Sequence, residues 1–150
     1  MKWVFNDGGR AAAGYKGKAG DCVVRAIAIA ARLPYQEVYD AVNAAGATET
    51  PTPLVAKRRR DKRSSARDGV FKPTIRQIMS QLGWQWTPTM GFGTGCTVHL
   101  RSHELPAGRL VVSVSKHLVA VIDGVAYDTH DCTRGGNRCV YGYWQEGVKK

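Results

Sequence analysis

Gly108 to Asp131 reads GRLVVSVSKHLVAVIDGVAYDTHD, and this stretch decides the fold class. Arg109 to Ser115 is a largely apolar, β-branched run, as a buried strand requires. Leu118 to Ile122 and Val125 to Thr129 flank Asp123-Gly124. An Asp-Gly pair between two β-rich runs predicts a two-residue hairpin, because both loop positions need positive φ. With those two residues as the loop, Ile122 faces Val125, Ala120 faces Tyr127 and Val119 faces Asp128. Side chains alternate along a strand, so 117, 119 and 121 share a sheet face. Asp128 then becomes a diagonal neighbour of His117, within side-chain reach.

Val140 to Trp144 adds a further strand, Trp84, Trp86 and Thr97 to Leu100 suggest shorter ones, and Leu105 to Gly108 reads as a turn. Upstream the texture is helical. Asp21 stands at an N-cap position before Cys22-Val-Val-Arg-Ala-Ile-Ala-Ile-Ala-Ala-Arg32. Its alanines favour helix, its nearly all-round apolar character predicts burial, and Leu33-Pro34 breaks it. Tyr35 to Ala45 fits an amphipathic helix stopped by Gly46, with Val38, Val42 and Ala45 on one face. Pro73 to Leu82 fits a third, with Ile75, Ile78, Met79 and Leu82 as its stripe and Gly83 at its end. Residues 1–20 read as a Gly-rich extended arm anchored through Trp3, Phe5 and Tyr15. Helices first and strands after predict α+β with segregated layers, the helices packed on a C-terminal antiparallel sheet.

The chain has 150 residues and a formal net charge of +10, a length that suits one domain. The charge is concentrated. Ala56 to Arg67 holds Lys57, Arg58, Arg59, Arg60, Lys62, Arg63 and Arg67 against Asp61, a net +6. Pro51 and Pro53 precede it, so about 46–69 reads as a long exposed loop or mobile insertion, and Ala56 to Arg67 is expected to be mobile and not needed for folding. It is a solvated excursion, a contact for nucleic acid or another acidic partner, or a nuclear address. No aromatic is interleaved, so base stacking is not indicated.

No apolar run reaches the roughly 18 residues of a membrane span, and the N-terminus lacks a basic-then-apolar export pattern. A cytoplasmic chain without membrane contact is expected, its thiols reduced. Four cysteines are too sparse for a disulfide scaffold. Cys132 and Cys139 flank a Gly-rich loop. They read as two reduced thiols, as a mutual disulfide, or as metal ligands together with His130, Cys96 or His99. No cofactor or metal is called for. Arg134, Arg138 and Gly135-Gly136 are a weak anion cradle.

Cys22 opens a buried helix, where unpaired N–H groups and the macrodipole favour thiolate. His117 is the candidate base and Asp128 its orienter, with His130, opposite His117 if the hairpin continued, as the rival base partner. For these three to meet, the helix start has to pack on the His117 face of the hairpin. The pattern is that of an activated nucleophile. Neither His117 nor Asp128 lies in an apolar run, so replacing either is expected to change stability little.

Gly20-Asp21-Cys22 before VVRAIAIA, Lys116-His117-Leu-Val-Ala-Val, and Tyr127-Asp128-Thr129 occur in the order Cys, His, Asp. In that order and spacing the chain resembles papain-like cysteine peptidases, most nearly the compact C39-like branch that cuts after double-glycine leaders. It also looks like small phage-encoded proteins. The resemblance covers Cys22–Leu33 and Arg109–Trp144. It implies a papain-like fold and a cysteine-dependent peptidase or isopeptidase acting on a protein or peptide, in a bacterial or host cytoplasm. Acyl transfer by the same triad is a variant. Members of that family carry a Gln shortly before the Cys as oxyanion donor. Here Lys16 stands six residues upstream and Asn6 is the only carboxamide before Cys22. Either Asn6 or Lys16 substitutes, or backbone N–H groups suffice, or the fold serves as a non-catalytic basic binding protein, such as a phage-encoded inhibitor.

Overall fold

A computed structural model describes residues 1–17, 19–49, 63–91 and 93–147. In chain order the elements are β1 (Lys2–Phe5), α1 (Cys22–Ala31), α2 (Tyr35–Ala47), α3 (Lys72–Gln81), β2 (Gln85–Pro88), β3 (Arg109–Val114), β4 (His117–Ile122), β5 (Val125–Asp128) and β6 (Val140–Gln145). The strands form one sheet in the order β1-β5-β4-β3-β6-β2.

The hairpin is built as its sequence predicts. Ala120 pairs with Tyr127, Val121 with Ala126 and Ile122 with Val125. Asp123 and Gly124 take φ of 49° and 77°, the two positive values that a primed turn needs. β3 extends the sheet antiparallel to β4, and β6 pairs antiparallel with both β3 and β2. The expected strand at Thr97–Leu100 is reduced to one bridge, His99 to Cys139.

The sheet is mixed, which corrects the expectation of an antiparallel one. β1 lies parallel to β5, from Lys2 opposite Val125 to Phe5 opposite Asp128. The N-terminal arm is therefore held by backbone pairing and not by its aromatics. Trp3 and Phe5 are 37% and 66% exposed. Only Tyr15 anchors, stacked 4.6 Å from Tyr39 and hydrogen-bonded to Gln36. An edge strand with all four side chains exposed leaves no burial pattern to read.

The sheet separates two cores. α1, α2 and α3 cover the face bearing Val111, Leu118, Ala120 and Trp144. The other face, with Leu110, Val112, Val119, Val121 and Val140, is closed by Leu100, Leu105 and Cys132. α1 contributes Val23, Val24, Ile27 and Ala30, consistent with its nearly all-round apolar sequence. In α3, Ile75, Ile78 and Met79 are buried while Leu82 is 38% exposed.

The 46–69 insertion is corrected at both described ends. α2 runs through Gly46 to Ala47. A Cβ on Gly46 would lie 2.1 Å from the Ser64 carbonyl oxygen, so this glycine permits close approach and does not stop the helix. Ser64 and Ala66 are 5% and 1% exposed. Asn43 Oδ1 accepts the Ala66 N–H at 2.9 Å, and Glu49 takes the hydroxyls of Ser64 and Thr74. This part is built in, and replacing residues through 67 would remove packed groups. Gly46→Ala should destabilise the chain by about 1–3 kcal/mol through overpacking, despite the better helix propensity of Ala. A denaturant midpoint equal to or above that of the native chain would refute the close approach.

Candidate active site

α1 starts without a side-chain cap. Asp21, expected to cap it, is 1% exposed and turned to other partners. Its carboxylate pairs with Arg25 one turn on, with Arg10 Nε at 3.3 Å, and accepts the Tyr35 hydroxyl at 2.6 Å. Asp21 still supplies its carbonyl to the Arg25 N–H, the first backbone hydrogen bond of the helix. The N–H groups of Cys22, Val23 and Val24 precede that bond and have no intrahelical acceptor.

His117 Nε2 lies 2.5 Å from Asp128 Oδ2, with the two side chains 11% and 2% exposed. Asp128 Oδ1 also accepts the Thr129 N–H at 2.7 Å and faces Arg25 Nη2 at 3.4 Å. Cys22 and His117 line one cavity, and the imidazole and the Leu118 N–H both act on the thiol. The three residues read from the sequence are thus brought together, but not by the route expected. α1 packs on the opposite face of the hairpin, the one with Leu118 and Ala120. Cys22 and His117 meet because each opens its element, and the start of α1 lies over the start of β4.

Burial by itself would raise the Cys22 thiol. His117, the Leu118 N–H and the Arg25 charge outweigh it and bring the thiol below its ordinary value. Burial likewise opposes a charged His117. The Asp128 carboxylate, with the nearby Cys132 and Cys22 thiols, pushes it up to about 11. Asp128 is desolvated too, yet His117 holds it below the usual carboxylate range. The three shifts all favour the charged forms, thiolate, imidazolium and carboxylate.

Two members of this cluster were not found from the sequence. Arg25 sits inside an apolar helix run and is 9% exposed, bridging Asp21 to Asp128. Its only sequence signal is a charge amid VVRAIA. Cys132 is 2% exposed and lies beside His117. One donor atom from each of His117, Asp128 and Cys132 lies within 4.8 Å of the others, a set of soft and hard ligands able to converge on a cation. Two ligands on one zinc ion stand about 3.3 Å apart. The 2.5 Å between His117 and Asp128 is hydrogen-bond spacing instead.

The other readings are corrected. Cys139 is bridged to Cys96, with Cα atoms 5.8 Å apart, while Cys132 is free. The His99–Cys139 bridge brings loop 93–97 beside β6, whereas Cys132 turns into the second core. Neither a Cys132–Cys139 disulfide nor a pair of reduced thiols is present. Arg138 donates to the Ser115 carbonyl and is structural. His130 is 59% exposed, 3.9 Å from Asp128 Oδ1, and its ring lies tilted at 5.2 Å from that of His117 without replacing it.

Neither side-chain oxyanion candidate reaches Cys22's cavity. Asn6 Oδ1 accepts the Gly8 N–H at 2.8 Å, and the Asn6 N–H donates to the Asp128 carbonyl. It lines a separate cavity with Ala28 and Ile29, near the other end of α1. Lys16 lines a third, with Arg10, Tyr39 and Arg67. Of the basic run, Lys57, Arg58, Arg59, Arg60 and Lys62 lie outside the described residues. Arg63 donates to the carbonyls of Gly46, Ala47 and Glu49, capping α2, which removes it from the set of free cations. Arg67 is exposed.

Cys22 and His117 open onto a cavity of about 600 Å³. Its lining includes Val70, Ile75, Trp86, Met90, Tyr141 and Trp144. This is the size and mixture expected of a ligand site. Among the described residues no helix is long and apolar enough to cross a membrane. No family model, curated protein or solved structure matches the chain.

Proposed function

We propose that the chain is a cysteine-dependent hydrolase of the peptidase or isopeptidase type, of papain-like plan. The observation that carries this reading is His117 held by Asp128 at 2.5 Å, with Cys22 and His117 together lining a ligand-sized cavity. Cys22 thiolate attacks a carbonyl carbon, and the oxygen takes up the negative charge. The His117 imidazolium gives its proton to the leaving amine as the C–N bond breaks, leaving a thioester on Cys22. Neutral His117 then takes a proton from water as the water oxygen attacks that thioester, and the free thiolate is restored. An amine in place of water gives acyl transfer. Asp128 keeps the ring oriented and stabilises its charged form.

A side-chain oxyanion donor is not needed for this plan. The Cys22 N–H stands at the first position of α1, ahead of the first helical hydrogen bond and at the positive end of the macrodipole. Limiting iodoacetamide at neutral pH should modify Cys22 ahead of every other cysteine, since Cys96 and Cys139 are bridged and Cys132 is buried. Peptide mapping checks this. Adducts on Cys132 with Cys22 intact would remove the nucleophile from the proposal.

A further inference from the structure

Taking Cys22 as the nucleophile, we infer that its cleft selects an acidic peptide carrying a bulky aromatic side chain: the ring fills the cavity and a neighbouring carboxylate meets the cations at its rim. The cavity is far larger than a glycine needs. Its wall is made for a flat group. Trp86 and Trp144 stand with ring centroids 4.2 Å apart, and Trp86 keeps 38% of its surface exposed. Gly142 is what allows this, because a Cβ there would lie 2.3 Å from the Trp86 ring. An exposed indole at the mouth of an apolar cavity gains most from a second aromatic group, through area and ring geometry together.

The rim sets the charge. Lys72, Arg76 and Lys116 border the cavity and are exposed, with one carboxylate, Asp68, among them. Among the described residues none of the three cations makes an ion pair, and Lys72 Nζ stands 5.6 Å from the Tyr141 ring. Cations left unpaired around a low-dielectric cavity attract an anion and repel a basic peptide. They flank the same thiolate that does the chemistry, so binding and reaction would share one ligand.

Three acetylated dipeptide vinyl sulfones test the inference: Asp-Trp, Lys-Trp and Asp-Gly. Each Cys22 adduct rate is divided by the same protein's iodoacetamide rate. At low salt Asp-Trp should react about tenfold faster than either analogue, and the charge preference should shrink as salt screens it. The double variant Lys72→Glu, Arg76→Glu should reverse the order of Asp-Trp and Lys-Trp. Both positions are exposed, and Glu suits the first turn of α3 at position 72, so folding is not threatened. Equal rates for the three reagents, or an order that the double variant leaves unchanged, would overturn the inference while Cys22 remains the nucleophile. If iodoacetamide itself bypasses Cys22, the nucleophile falls and the inference with it.

Discussion

His117→Ala should lower the alkylation rate of Cys22 at pH 6 by about a hundredfold, because an ordinary thiol with pKa about 8.5 is barely ionised there. In the native chain His117, the Leu118 N–H and the Arg25 charge together outweigh the cost of burial and bring the thiol below its ordinary value. Without the imidazole, burial remains and works in the opposite direction. Alkylation of the variant should therefore stay slow until well above neutral pH, whereas the native rate stays high across the mildly acidic range. Hydrolysis should fall further, by about 10²–10⁴, since proton transfer to the leaving group is lost as well. The measurement is Cys22 alkylation against pH in both proteins. Coincident profiles would mean that imidazole and thiol are not coupled, and the hydrolase proposal would not survive.

Asp128→Ala should cost about 3–5 kcal/mol of stability, the usual effect of removing one partner from a buried ion pair. This departs from the small change expected from sequence. Asp128 is 2% exposed and serves two cations, His117 and Arg25. Arg25 would be left with Asp21 alone, and its Nε already lacks a hydrogen-bond partner among the described residues. Asp128→Asn keeps the shape and the Thr129 contact but not the charge, so it should cost less.

The pH dependence follows from the two shifts. Asp128 is lowered from 3.8, so its contribution is present above that value and is lost as pH falls through the folded value. His117 is raised from 6.5 to about 11, so its contribution is complete below 6.5 and is lost as pH rises through about 11. The stability gap between native and Asp128→Ala protein should therefore be widest between about pH 4 and 6.5. Chemical denaturation across pH decides it. A gap that is small and flat would show that the carboxylate is not coupled to these cations.

Much of the molecule is legible locally. The Asp123-Gly124 turn, the register of β4 on β5, the buried character of α1 and the stripe of α3 each follow from neighbours a few residues apart. The meeting of His117 with Asp128 is readable for the same reason, since a two-residue turn fixes which side chains lie side by side. What lies beyond is long-range. Arg25 and Asp128 are 103 positions apart, and nothing in VVRAIAIA says that its one charge will bridge two carboxylates. Cys96 and Cys139 are separated by 43, and their pairing depends on a bridge at His99 that has no strand periodicity. β1 is placed by the open edge of β5, and an edge strand exposed on all sides carries no hydrophobic pattern. The sequence by itself determined the local geometry, because turn chemistry and side-chain periodicity act over a few residues. Only the tertiary structure decided which helix end faces which strand end, because burying α1 on the sheet and desolvating Asp21, Arg25 and Asp128 together is a property of the packed whole.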